Sequence, residues 1–509
     1  LWGRPGMSVV KSAGAAQQDA SMSRATGAER PVPDSLPIAP ADAAENRRVR
    51  HKLDAVIMPL VCTLVLFQLT DKLALNYVKV LGLEHAVNLH GQDYSWLGSI
   101  FYFGYLLGSV VHGIAFQYVP LAPYLSLNCV VWGIILACHA RCTTFAQLVG
   151  VRILLGLFES CVYSGFILYM GHFYTKREQV VRISVWYSMT GWGTVLGALI
   201  MYGVVKHPSP HIEQWQEVYV ILGVITVALG LVALAMLPES VDRTRYLSPR
   251  ERAVALHRIA SNHAGFDGRK FQPTQLREAL LDLRLYLFFL VCFCVNVANG
   301  GLITFCNTLI VSIFHDVPRS TLLGMAQGAA NVVFSYLGIL LFSLTRLRAV
   351  PVLFGLVWSV IGSAILYAVP VTHKATSMAG VCLSLGFAAT MSILFSWAGT
   401  SVAGSTKRIA FTAMLQLAWG AGNIVGPQTY LHQEAPLYHT AKATMLGMFC
   451  ASVLFLVPIP AMHGWWNRQR AARAAGQRTL KPHDEQQEIG EEDLLDRSDK
   501  EHPGFIYPC

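Results

Sequence analysis

Four ionisable residues stand inside long apolar runs: Asp71, Lys72, Arg152 and Glu159. Charge surrounded by hydrocarbon is costly, so each marks a functional hypothesis by default. Arg152 and Glu159 are seven residues apart. On a helix that is two turns, which puts them on one face about 10 Å apart. Two such groups on one face imply a shared polar cavity, and Glu159 is the carboxyl placed to exchange a proton there. Asp71 and Lys72 fall near one end of their run, where an interfacial pair is the alternative. For Arg152 the alternative is a structural tie to loop carbonyls.

Uncharged polar residues follow. Asn296, Asn299, Gly300 and Gly301 interrupt one apolar run and suggest a loosened helix lining a pathway. Gln327 and Asn331 lie four apart in the next, and Gln416, Asn423, Pro427 and Gln428 share another. Proline frees a backbone carbonyl. Asn299, Gln327, Gln416 and Asn423 are the amides taken as ligand contacts, with interhelical hydrogen bonding as the alternative. Tyr102, Tyr105, Trp192 and Trp397 could wall a pocket, although ordinary packing accounts for any one of them. His112 and His172 are candidate pH sensors.

The elements that carry these residues follow from composition. Of 509 residues, 53% are hydrophobic and 14% charged, against about a quarter charged in soluble domains. Spanning some 30 Å of hydrocarbon takes about 20 helical residues, and open strands cannot do it because unpaired backbone groups cost several kcal/mol each. Twelve spans are expected, at 54–76, 95–116, 121–140, 144–170, 183–205, 218–237, 285–307, 321–344, 349–370, 376–399, 409–432 and 443–463. Lys and Arg concentrate before span 1, in alternate loops (Lys176, Arg177, Arg182; Arg243 to Arg284; Arg346, Arg348; Lys407, Arg408) and after span 12. By the positive-inside rule both termini are cytoplasmic. The net charge of +9 is therefore an orientation signal and not a nucleic-acid footprint.

The organisation expected is a disordered tail at 1–50 (Met7 being a candidate start), a six-helix bundle at 51–240, a linker at 241–284, a second bundle at 285–466 and a tail at 467–509. Ser248 as N-cap, Pro249 and then Glu251 predict a surface helix in the linker. The acidic run Glu491, Glu492 and Asp493 is expected to be a solvated tail. The 11 cysteines, mostly inside apolar runs, read as buried hydrophobes and not as a disulfide framework.

Internal symmetry narrows the architecture. G-x-x-x-G occurs at Gly104/Gly108, Gly193/Gly197, Gly324/Gly328 and Gly422/Gly426, on spans 2, 5, 8 and 11. That is the middle helix of each consecutive group of three. Small residues four apart allow close helix approach, and a three-helix unit used four times is the architecture of the major facilitator fold. No phosphate-binding Gly-Lys loop, H-E-x-x-H, G-x-S-x-G or metal-ligand cluster is found in the sequence. The expectation is a carrier driven by a gradient, with no cofactor and no enzymatic activity.

The sequence also resembles a known family from about Asp54 to Asn467. The stretches that carry the likeness are Gln68-Leu69-Thr70-Asp71-Lys72, Phe101 to Gly108, Arg152 to Glu159, Leu237-Pro238-Glu239-Ser240, Asn299-Gly300-Gly301-Leu302, Trp397 to Arg408 and Gly422-Asn423-Ile424-Val425-Gly426-Pro427-Gln428. They resemble the fungal allantoate permease family, within the anion:cation symporters of the major facilitator superfamily. The resemblance implies that Lys72 and Arg152 hold an anionic substrate and that Asp71 and Glu159 take a coupled proton. It implies proton-coupled uptake of a small carboxylate by a plasma-membrane monomer. The alternative is a proton antiporter exporting a secondary metabolite or drug. The sequence departs from the pattern in the 116–121 loop, which has no basic residue, in the 343–346 loop, which lacks an acid, and at Lys72, where relatives carry Arg.

Overall fold

The structure, a computed structural model, describes residues 42–263, 272–478, 498–500, 505 and 507–508. Among these residues twelve helices are long and apolar enough to cross a membrane. We number them as spans 1–12: Ala44–Val80, Asp93–Ala115, Leu121–Arg141, Phe145–Phe173, Val181–Lys206, Gln214–Met236, Leu283–Phe314, Val317–Thr345, Ala349–Ala368, Lys374–Thr400, Ser405–Gln428 and His439–Arg473. Nine lie within four residues of the expected bounds, while spans 1, 7 and 12 overrun one bound by ten, seven and ten residues, because the helical turns continue into the polar boundary. The first helix begins at Ala43, so residues 43–50, expected in the tail, are helical. The acidic run at 491–493 lies outside the described residues.

An even number of crossings brings the start of span 1 and the end of span 12 to one face, called here the tail face. Packing repeats between the two sets of six. Span 3 packs on span 6 as span 9 packs on span 12, and span 2 on span 4 as span 8 on span 10. The two sets meet where span 2 touches span 11 and span 8 touches span 5, the same contact seen from either side of a pseudo-two-fold axis.

The glycine pairs explain the close approaches and divide into two kinds. A Cβ at Gly104 would overlap the Ile153 carbonyl, and one at Gly426 the Val297 carbonyl. Those seams lie inside a half, as does that of Gly193 and Gly197 against span 1. Gly328 instead faces span 5 across the seam between halves, 2.8 Å (from a built Cβ) to the Gly191 carbonyl. The backbones there touch only because no side chain intervenes.

Span 7 is not loosened at Gly300 and Gly301. It is one continuous helix, Leu283–Phe314, in which Gly300 admits the Asn423 backbone and Gly301 the Tyr430 ring. Interior backbone bonds stay satisfied, which a membrane interior demands. The interruptions fall instead at the equivalent places in spans 4 and 10, at Ser160 and at Leu385-Gly386, and in span 12 at Val457.

The linker forms the expected helix, Pro249–His263, followed by a short connector, Pro273–Leu280. The linker helix is tied to the first half by Lys52 to Glu251 at 2.7 Å and Arg258 to Glu178 at 2.5 Å. Arg182 meets Asp54 through two hydrogen bonds, 2.7 and 2.6 Å. The Lys52 ammonium and the Ser248 N–H hold the Glu251 carboxyl below the usual carboxylate range. The stabilisation this carries is present above that range and is lost as pH falls through the lowered value.

Candidate functional site

Asp71 and Lys72 are neighbours in sequence and diverge in space, because successive helical residues point about 100° apart. Lys72 turns toward the seam between halves. Its Nζ lies 3.1 Å from Glu159 Oε1, with both side chains buried. The same carboxyl oxygen accepts from Gln68 Nε2 at 2.5 Å. Lys72 Nζ also stands 5.3, 5.4 and 5.6 Å from the ring centroids of Phe101, Tyr105 and Trp419. An ammonium over three ring faces gains cation–π attraction that water would otherwise weaken. Phe101 and Tyr105 come from span 2, Glu159 from span 4 and Trp419 from span 11. One wall of the cage is therefore supplied by the other half of the molecule.

Asp71 turns away from that seam, into the first bundle. It accepts from Trp132 Nε1 at 2.9 Å and Thr226 Oγ1 at 2.8 Å, both buried. These bonds tie span 1 to spans 3 and 6. We expect Thr226→Val to cost about 1 kcal/mol of stability and to leave transport per folded molecule near normal. Thermal unfolding in detergent and uptake normalised to surface protein check this.

Arg152 and Glu159 share a helix face, as expected, and both are buried. Their partners differ. Arg152 Nη2 donates to Tyr219 on span 6 at 2.9 Å, and the Tyr219 ring stacks on His139 with centroids 4.8 Å apart. Arg152 Nε, Glu159 Oε2, Gln68 Oε1 and the Tyr102 hydroxyl have no hydrogen-bond partner within the described residues. Buried polar atoms left over in this way need a partner that the chain does not supply.

The amides divide as well. Asn299 Nδ2 donates to Asn423 Oδ1 at 3.0 Å, and Asn423 Nδ2 donates to Asn296 Oδ1 at 3.1 Å and to the Trp419 carbonyl at 2.7 Å. This cluster joins span 7 to span 11, next to the Trp419 wall. Gln327 is buried on span 8 and Gln416 half-buried on span 11. The hydrogen bonds described do not bring either to the cluster. Tyr102 and Tyr105 both meet the Trp419 ring, with centroids 5.3 and 4.9 Å apart. Trp192 is exposed on the bundle surface, and Trp397 is buried near the tail face. His112 is held between the Tyr124 hydroxyl and the Leu157 carbonyl, 2.6 and 2.8 Å, so it is a packing residue. His172 is exposed.

Trp419 and Tyr219 are the site residues that sequence reasoning passed over. Trp419 had a signal: it stands four residues before Asn423, one turn away on the same face.

Away from the tail face the seam is closed. Tyr94 donates to the carbonyls of Leu75 and Thr304, and Ser99 to that of Ile424 at 2.6 Å. Asn307 N–H reaches Asn76 Oδ1 at 3.0 Å. Lys79, paired with Glu84 at 3.1 Å, lies 4.0 and 4.3 Å from the Tyr94 and Phe305 rings.

Comparison with known proteins agrees with this architecture. Residues 60–427 match the family model described as Major Facilitator Superfamily. The allantoate permease of Saccharomyces cerevisiae is 31% identical over 91% of this chain and 86% of its own length. The thiamine pathway transporter THI73 of the same yeast is 29% identical over 90% of this chain and 86% of its own. Among solved structures, the xylose transporter XylE from E. coli in a partially occluded inward-open conformation aligns with a TM-score of 0.61, at 14% identity, over 79% of this chain and 97% of its own. The fold, the repeat and these relatives converge: the chain is a membrane transporter, not an enzyme, and belongs to the allantoate permease family of the major facilitator superfamily.

Proposed function

We propose that the protein takes up a small organic anion together with a proton, with the anion seated at Lys72 between the two halves. The observation that carries this reading is the buried Lys72–Glu159 pair, walled by Trp419 from the opposite half. An anion arriving at Lys72 while Glu159 is ionised would leave surplus negative charge in a site shielded from water, which is costly. Protonating Glu159 removes that surplus, so anion and proton enter together. The unpartnered Tyr102 hydroxyl and Gln68 Oε1 supply a donor and an acceptor beside the anion. Arg152 adds positive potential from the same helix face, and Asp71 is assigned to holding span 1 in place. Asn299 and Asn423 set the position of Trp419, while Gln327 and Gln416 remain contacts for larger substrates.

With the tail face cytoplasmic, as the basic loops favour, the closed seam faces outward. The likeness to the yeast allantoate permease makes allantoate, a carboxylate, the first compound to try. The test is uptake of radiolabelled carboxylates into vesicles with and without an inward proton gradient. Gradient-driven accumulation is expected in the native protein. In Glu159→Gln accumulation is expected to vanish while equilibrative exchange persists. Accumulation that ignores the gradient, or a gradient that drives efflux instead, would refute the symport reading; the latter result is the one expected of an exporting antiporter.

A further inference from the structure

At the tail face of the second half, residues near the C-terminus occupy a built site. Asp499 is fully buried. One carboxyl oxygen lies 2.6 Å from Lys407 Nζ and the other 2.7 Å from Arg284 Nη2. Both cations are themselves buried, Lys407 at the start of span 11 and Arg284 at the start of span 7. Burial alone would raise the Asp499 carboxyl, but Arg284 and Lys407 outweigh it and hold the group below the usual range. It is therefore ionised at neutral pH.

The aromatic part of the segment is read as closely. Asn467 on span 12 pairs with both backbone groups of Tyr507, accepting from its N–H at 2.9 Å and donating to its carbonyl at 2.8 Å. The Tyr507 ring lies against His463 and Trp466, with centroids 5.5 and 5.1 Å away. The Pro508 carbonyl accepts from Trp397 Nε1 at 2.8 Å and pairs with His463 Nδ1 at 2.7 Å. Arg470 donates to the carbonyls of Phe505 and Asp499, at 2.6 and 2.5 Å.

We propose that the tail face of the second half is a peptide-recognition site, specific for an acidic residue followed by an aromatic-x-Tyr-Pro motif, and that the chain's own residues 498–500, 505, 507 and 508 are its ligand. Three kinds of contact argue for recognition and against casual packing. A carboxylate meets two buried cations, a side-chain amide reads one residue's backbone twice, and an aromatic slot closes on the tyrosine. The groups that bind come from spans 7, 10, 11 and 12, so an occupied site braces those ends against one another. The inference is independent of the transported substrate, because none of these residues belongs to the Lys72 site.

A protease site placed at 485–490 in the full chain allows the segment to be cut after folding. Labelled synthetic peptide 496–509 is then titrated onto the cut protein. A tether confers an effective concentration on the order of millimolar, so saturable binding with a half-saturation below about 1 mM is expected. Peptides carrying Asp499→Asn or Tyr507→Ala leave the receptor untouched, and each is expected to bind about tenfold more weakly. The rate at which the cut fragment leaves the protein on gel filtration gives a second reading, and Tyr507→Ala in the full chain should speed it. Absence of saturable binding, equal binding by the variant peptides, or equal rates of fragment loss would each overturn the proposal.

Discussion

Lys72→Met is expected to lower transport per surface molecule by at least about 100-fold and to reduce the yield of folded protein. Removing one member of a buried ion pair leaves the other uncompensated, at about 3–5 kcal/mol. Here the abandoned group is Glu159, completely buried and already short of a partner for Oε2. The double variant Lys72→Met/Glu159→Gln removes both charges, so folded yield should recover while transport does not. The two measurements, surface protein and initial uptake rate, separate the structural consequence from the functional one. Transport by the single variant within tenfold of the native protein would show that the anion is held elsewhere. Lys72→Arg tests geometry: the cage is sized for a compact ammonium between three rings, and a planar guanidinium is not equivalent to it. Substrate preference should shift in that variant more than maximal rate does.

The second large effect is expected at the seam between halves. A side chain at Gly328 would begin 2.8 Å from the Gly191 carbonyl and 2.9 Å from the Val195 amide. Gly328→Leu therefore cannot keep spans 5 and 8 in their present contact. Overpacking ordinarily costs about 1–3 kcal/mol, and a protein with a second conformation can relieve the cost by adopting it. The expected result is a folded protein held away from the arrangement seen here, with uptake reduced about 100-fold and the far side of the seam opened. Ser99, buried where spans 2 and 11 meet, reports this: Ser99→Cys should be unreactive toward an impermeant maleimide in the native background and reactive with Gly328→Leu. Gly104→Leu provides the contrast. Its seam lies between spans 2 and 4 of one half, where no sliding relieves the clash with Ile153, so loss of folded protein is expected. Equal behaviour of the two variants would mean that the glycine seams are interchangeable packing.

The two experiments address different links. The Lys72 variants test which charges hold the solute. The Gly328 variant tests whether the halves move against each other along the span 5–span 8 contact. A carrier requires both, and failure of one leaves the other informative.

What the sequence determined by itself follows from short-range physics. The cost of placing charge in hydrocarbon fixed the twelve spans, and the spacing of Lys and Arg along the loops argued their direction. The glycine repeat gave the three-helix unit, because a close helix approach is written locally as two small residues four apart. The linker helix was legible for the same reason, its Ser248 cap and Glu251 lying within one turn.

Other decisions belong to tertiary structure alone. Asp71 and Lys72 carry no local sign that one faces a structural Trp–Thr pair and the other the seam between halves. That depends on which helices stand on either side of span 1. Arg152 and Glu159 lie on one face as the helical repeat requires, and yet they find different partners because spans 1 and 6 approach that face at different heights. The continuity of span 7 could not be read from Asn299, Gly300 and Gly301, since the same glycines that weaken an isolated helix are needed where the backbone of span 11 comes close. Trp419 went unmarked until span 11 was set against span 2, and the C-terminal residues read only as a tail until Arg284, Lys407 and Asn467 were brought to one place. Contacts between residues hundreds of positions apart leave no periodicity in one sequence, and only the assembled bundle specifies them.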